Sequence, residues 1–352
     1  MQNRFQSLDG FRAIAVVMVI LQHLHSGHSF KALDFLWHFQ LGDLGVRIFF
    51  IISGFLITSL MQREFDRTGQ INLSNFYIRR VLRIFPAYYL FLIIIAAGIP
   101  ANIQSISVKS FVAPIFFLSN YSENPLVLGH TWSLSVEEQF YLLWPVLIVL
   151  LGWRRATTFA ITLCVIAPLL RWWATITADP PSTLWSNFQH TGDAIAFGCL
   201  YALARKKQWI RGTTAMAYAV IGGLAAAVLL TLATTHVWPM FWNTVGITAA
   251  NFLVLVILHC ALEAPSTAQH KILNTKWMMW VGTLSYSLYL WQQAFIYGGF
   301  RLPAPLNVAA IVACALLSYY FVEKPFLSLK DKLQNQPLVQ SVNADSGPTR
   351  TH

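Results

Sequence analysis

The chain has 352 residues, of which 56% are hydrophobic, 14% aromatic and only 11% charged, with a formal net charge of +10. Soluble domains carry about 25% charged residues, so this composition excludes a single water-soluble core and implies an integral membrane protein. Cys164, Cys199, Cys260 and Cys314 all fall in apolar runs with no CxxC pair, so they read as small buried hydrophobes and support no disulfide framework or zinc site.

A bilayer core asks for roughly 20 apolar residues per helix. On that criterion the spans read, in chain order, 11–29, 43–62, 81–100, 132–151, 156–176, 188–204, 213–235, 240–261, 277–298 and 304–321. The expected fold is an all-α membrane protein of about ten transmembrane helices. The first run is read as a retained span, because no A-x-A-like cleavage site follows it and Arg12 lies within it. The run 108–119 (VKSFVAPIFFLS) is too short to cross and is placed as an interfacial or re-entrant helix. From about residue 326 the chain gathers Asn, Gln, Ser and Pro. It is expected to be a disordered cytoplasmic tail, leaving 1–325 as one transmembrane domain.

Ten spans put both termini on one side. With the N-terminus in the cytoplasm, all of the 24 basic residues except Lys31, Arg47, Lys109, Arg171 and Arg301 fall inside. The basic excess is then topology and contact with anionic membrane lipids, and no nucleic-acid partner is called for.

Three ionisable clusters interrupt the apolar runs, and a charge in the hydrocarbon layer costs roughly 3 kcal/mol or more. Arg12 and His23 stand three helical turns apart on one face, about 16 Å along the axis. Arg12 lies near the cytoplasmic surface with Asp9 one turn before it as a partner. Alone it also reads as a snorkelling anchor. His23, in the outer half, reads either as a histidine bonded to a neighbouring helix or as a general base. His25 and His28 follow, but residues two apart on a helix diverge by about 200°. No carboxylate completes a ligand set, so no metal is expected.

Arg79, Arg80 and Arg83 enter the third span, with Arg80 and Arg83 one turn apart. Guanidinium forks at that spacing suit a phosphate-rich ligand. The plainer reading is a positive-inside anchor, though three arginines exceed what orientation needs. Glu137 and Glu138 lie about 8 Å below the outer end of the fourth span, near the expected depth of His23. Adjacent helix positions differ by about 100°, so one carboxylate can orient His23 or stabilise its imidazolium. The other caps a helix or is protonated.

Six blocks in order carry a family likeness: LDGFRAIAVVMVILQH (8–23), FFIISGFLIT (49–58), RRVLRIFPAYY (79–89), WSLSVEEQFYLLWP (132–145), YSLYLWQQ (286–293) and FVEKP (321–325). Together they resemble the acyltransferase-3 family, integral-membrane acyltransferases that include bacterial polysaccharide and O-antigen O-acetyltransferases. The family's Arg-x10-His pattern falls on Arg12 and His23, and its Arg-x-x-Arg pattern on Arg80 and Arg83. Its SGFL segment falls on Ser53, Gly54 and Phe55, and its Glu-rich block on Glu137 and Glu138.

The resemblance implies a bacterial inner-membrane enzyme that takes an acyl group, usually acetyl, from cytoplasmic acyl-CoA. The acceptor it implies is a hydroxyl of a glycan or glycolipid at the outer face. Arg80 and Arg83 would then hold the CoA phosphates. His23 would deprotonate the acceptor or take the acyl group itself. Ser53 and Arg12 would be candidate donors toward the thioester and its oxyanion. One departure stands out: many relatives carry histidine where this chain has Gln292, which weakens any catalytic claim for the late block and leaves the role of Gln292 open. No hydrolase-like domain of the kind some relatives append follows, so the membrane domain is expected to do the transfer. The alternative is a proton-coupled transporter or flippase of a polar or lipid-linked substrate, with His23, Glu137 and Glu138 as a relay. The lack of an inverted repeat or of paired interrupted helices argues against it.

Overall fold

The computed structural model describes residues 6–26, 40–98, 106–177, 186–207, 222–223, 225, 244, 246–263, 268–298 and 303–335. All regular structure among them is helical. In chain order the main helices are α1 (Gln6–Ser26), α2 (Leu41–Thr68), α3 (Leu73–Ala97), α4 (Thr131–Ile176) and α5 (Asp193–Lys206). They continue with α6 (Ile247–Glu263), α7 (Ala268–Leu273), α8 (Lys276–Ile296), α9 (Ala304–Ser318) and α10 (Lys324–Asn335). Five stretches among the described residues are long and apolar enough to cross a membrane: Ser7–Leu24, Leu41–Thr68, Leu73–Ala97, Leu126–Ile176 and Pro305–Leu329. The protein is an integral membrane protein. Most of the expected span 213–235 lies outside the described residues.

Several helix borders move for local reasons. The third helix begins at Leu73, well before the expected residue 81, because the Asn72 side chain accepts the Asn75 N–H at 2.9 Å. Arg79, Arg80 and Arg83 therefore sit in its second and third turns instead of at its mouth. The expected spans 132–151 and 156–176 are the two arms of α4. Gly152, at φ 77° and ψ 165°, breaks the helix between them in a conformation glycine adopts without a steric penalty. The Phe140 ring packs 6.3 Å from Phe188, while Arg171 donates to the His190 carbonyl and to Asp193 at 2.9 Å. In an unbroken helix residues 140 and 171 would be about 46 Å apart, so the arms fold back on each other.

The run 108–119 does not cross. It forms short turns, Val108–Phe111 and Val112–Ile115, docked on α3. There the Tyr88 and Tyr89 hydroxyls donate to the carbonyls of Pro114 (2.8 Å) and Ile115 (2.9 Å). At the other end α9 passes through a π-helical turn (Tyr319–Glu323) into α10, which runs to Asn335 and packs against α3. Residues 326–335 are thus helical, where the composition suggested a disordered tail. A helix already nucleated by the preceding span extends at little cost. Residues 336–352 lie outside the described ones.

Small residues set how closely the helices approach. A Cβ on Gly54 would lie 1.9 Å from the Ile195 carbonyl oxygen, and one on Gly198 would lie 2.0 Å from that of Ile51. The α2–α5 contact is therefore backbone on backbone, as small residues permit in a membrane. Likewise a Cβ on Gly282 would meet the Asp9 carbonyl oxygen at 1.8 Å, which presses α8 onto α1. Gly54 of the SGFL block is accordingly a packing residue. A buried polar network ties α4, α5, α6 and α2 together: Arg171 bonds Asp193 and donates to Thr248 Oγ1 at 2.7 Å, and Arg47 donates to Asn251 Oδ1 at 3.2 Å. In the sequence these two arginines are merely outer-side charges.

Candidate functional site

Packing α1 between α2 and α8 places both of its ionisable residues against named partners. At one end Arg12 pairs with Asp9 at 3.0 Å, the partner expected one turn away. Arg83 lies within electrostatic reach of Arg12 and Arg80. The Arg80 guanidinium stacks 4.2 Å above the Tyr141 ring and 5.7 Å from the Phe76 ring, a geometry that holds a cation through the ring quadrupole. Glu137 lies within electrostatic reach of Arg80, Arg12 and Arg83. Its Oε1 accepts from Ser53 Oγ at 2.7 Å, and that hydroxyl in turn accepts from Tyr141 at 2.8 Å. Ser53 thus donates to Glu137 and accepts from Tyr141, which ties the SGFL block to the glutamate block. Glu138 keeps Oε1 buried without a hydrogen-bond partner among the described residues. Glu323, in the FVEKP block, accepts from Ser287 and faces Arg83.

Arg79 belongs elsewhere: it pairs with Glu64 at 3.3 Å. Arg80 and Arg83 make no ion pair with a carboxylate among the described residues, so their N–H forks can serve an anionic ligand. Half-buried cations without an ion-pair partner are costly, and a phosphate group is the kind of partner that offsets the cost.

The other end of α1 holds the imidazoles. His23 Nδ1 is 2.9 Å from Gln292 Oε1, and His23 Nε2 is 3.2 Å from Gln293 Nε2. Tyr297 meets the His23 ring edge-on at 6.0 Å. Gln293 Oε1 also accepts from the backbone N–H of His130 at 2.8 Å and from His130 Nδ1 at 2.9 Å. His130 is buried, edge-on to Phe91 and Tyr289.

Two expectations are corrected here. The glutamates are not at the depth of His23 and do not orient it. α4 runs opposite to α1, so His130 reaches His23 through Gln293, while Glu137, two turns on and about 10 Å further along the axis, lies at the Arg12 end. Among the described residues no hydrogen bond links His23 to Glu137 or Glu138. The late block, in which the role of Gln292 was open, supplies both side chains that hold the His23 ring. The sequence carried partial signals for the residues it missed. Gln292 and Gln293 are two amides in an apolar run, which burial penalises unless they are bonded. Tyr141 follows Glu137 by one helical turn. Nothing local marks His130 as the partner of Gln293. Among the described residues no group of three or more His, Cys, Asp or Glu can hold a metal ion. The His25 side chain and His28 lie outside the described residues.

The family model described as "Acyltransferase domain" matches residues 5–323. The chain belongs to the acyltransferase-3 family. The peptidoglycan O-acetyltransferase OatA of Listeria monocytogenes is 29% identical over 362 residues, covering 91% of this chain and 55% of the relative. The O-acetyltransferase OatA of Staphylococcus aureus is 33% identical over 357 residues, covering 90% of this chain and 56% of the relative. The chain thus spans about half the length of the curated relatives it matches. No solved structure matches it. The matched region holds every residue of both ends of the site, from Arg12 to Glu323.

Proposed function

We propose that the protein is a membrane O-acyltransferase that moves an acetyl group from acyl-CoA to a glycan hydroxyl. The observation that carries this reading is one helix, α1, joining an anion-binding end to an imidazole end. Arg80 and Arg83, with Arg12 beside them, offer guanidinium donors to the CoA phosphates. About 16 Å along α1, a distance of the order that the extended pantetheine arm spans, His23 offers a base to the acceptor hydroxyl. His23 takes the hydroxyl proton as the oxygen attacks the thioester carbonyl, and the departing thiolate takes a proton back. The positive-inside bias puts the Arg12 end and both termini of a roughly ten-span bundle in the cytoplasm, where acyl-CoA is made. The His23 end then faces the outer side of a bacterial inner membrane. The name of the Listeria monocytogenes relative favours peptidoglycan as acceptor.

The test is acetyl transfer by the purified protein in proteoliposomes. Acetyl-CoA supplied at the Arg12 side should release CoA, and acetyl esters should form on a peptidoglycan fragment supplied at the opposite side, read by mass spectrometry. Protein that neither binds acetyl-CoA nor releases CoA from it would overturn the reading.

A further inference from the structure

Gln293 bridges the two histidines, and its orientation is dictated by the backbone. The His130 backbone N–H can only donate, and it lies 2.8 Å from Gln293 Oε1, so that atom is the amide oxygen. The atom 3.2 Å from His23 Nε2 is therefore the amide nitrogen, which donates. His23 Nε2 must present its lone pair, so the proton of the neutral ring sits on Nδ1 and donates to Gln292 Oε1 at 2.9 Å. By the same logic His130 Nδ1, 2.9 Å from Gln293 Oε1, carries a proton and is a second anchor for that oxygen. Gln292 has no comparable anchor. Its Nε2 is buried without a partner among the described residues, so its amide follows His23 and does not direct it.

We infer that Gln293, held by His130, is a positioning residue that fixes His23 as the Nδ1–H tautomer and makes Nε2 the nitrogen that takes the acceptor's proton. The inference rests on the reading of His23 as the base. In the transfer step the acceptor O–H proton passes to Nε2, displacing the long Gln293 contact, while Nδ1–H stays on Gln292. The hydroxyl oxygen forms its bond to the thioester carbon, the C–S bond breaks, and the CoA sulfur recovers the proton from Nε2. In Ser-His-Asp enzymes a carboxylate holds Nδ1–H and sets the tautomer. Here a neutral amide occupies that place, and the tautomer is set from the opposite nitrogen.

The experiment is 15N NMR of the full chain in nanodiscs, with imidazole-labelled histidine. The His23 signals are identified by their loss in His23→Gln. His259, bonded to the Tyr201 hydroxyl at 3.0 Å, serves as an internal reporter of the fold. Wild-type His23 should show a protonated Nδ1 and a bare Nε2. Gln293→Met, close in volume but without a donor, should give mixed tautomers. It should also lower kcat by about 10²-fold, the lower range of a general-base contribution, with the KM for acetyl-CoA unchanged. Gln293→Glu, whose carboxylate accepts from both His130 and His23, should move the His23 proton to Nε2. A wild-type ring protonated at Nε2, or a Gln293→Met protein with the wild-type tautomer and kcat, would overturn the inference. If the tautomers behave as stated but His23→Gln still transfers acetyl, the base reading fails and the assignment of Gln293 stands.

Discussion

Substituting His23 tests the reaction most directly, and the structure decides which substitution to use. Alanine would strip two contacts, to Gln292 at 2.9 Å and Gln293 at 3.2 Å, leaving both amides short of a partner in an apolar surround. Each unsatisfied buried group costs about 1–3 kcal/mol, so His23→Ala loses roughly 2–6 kcal/mol of stability on that count. A loss that large confounds any rate measurement. Glutamine keeps a donor and an acceptor at the position but cannot take up a proton near neutral pH. His23→Gln should therefore fold and still lose the general-base contribution of about 10²–10⁴-fold, equivalent to about 2.7–5.5 kcal/mol of barrier. The measurement is acetyl transfer at saturating acetyl-CoA, with the acetyl-CoA Kd and the thermal midpoint taken on the same nanodisc sample. The Kd should stay within about twofold of wild type, because the cationic end lies about 16 Å away along α1. Folded His23→Gln protein that transfers acetyl at the wild-type rate would refute the mechanism.

Three further outcomes follow from the packing and charge arrangement. Arg80→Ala and Arg83→Ala should each weaken acetyl-CoA binding by about 1.5–3 kcal/mol, the range for a hydrogen bond to a charged group. Arg79→Ala, whose partner is Glu64, should leave the affinity unchanged by calorimetry. Gly54→Ala forces a Cβ to 1.9 Å from the Ile195 carbonyl oxygen, so it should cost about 1–3 kcal/mol or more of overpacking. It should reduce the yield of monodisperse protein on size-exclusion chromatography, even though Gly54 touches no reacting group. Removing one member of the buried Arg171–Asp193 pair, as in Asp193→Asn, should destabilise by about 3–5 kcal/mol. The double variant Arg171→Met/Asp193→Leu should lose less than the sum of the single losses in thermal unfolding.

The membrane class, the helical fold and the ionisable residues that share one face of α1 were legible in the chain alone. Those properties depend on composition and on a 3.6-residue period, and both are local. Asp9 pairs with Arg12 because one turn separates them, and the run 108–119 was too short to cross whatever surrounds it. What each helix meets depends on how the folded chain packs. Register between helices is set by backbone contacts at Gly54, Gly198 and Gly282 and by the reversal at Gly152, and no hydrophobic pattern encodes those offsets. An error of two turns in that register was enough to assign Glu137 to His23. In the folded chain Glu137 sits with Ser53, Tyr141 and the arginines, and two late glutamines and His130 hold the imidazole. Residue types with the right chemistry were legible along the chain, but their pairing required the direction and depth at which each helix passes its neighbour.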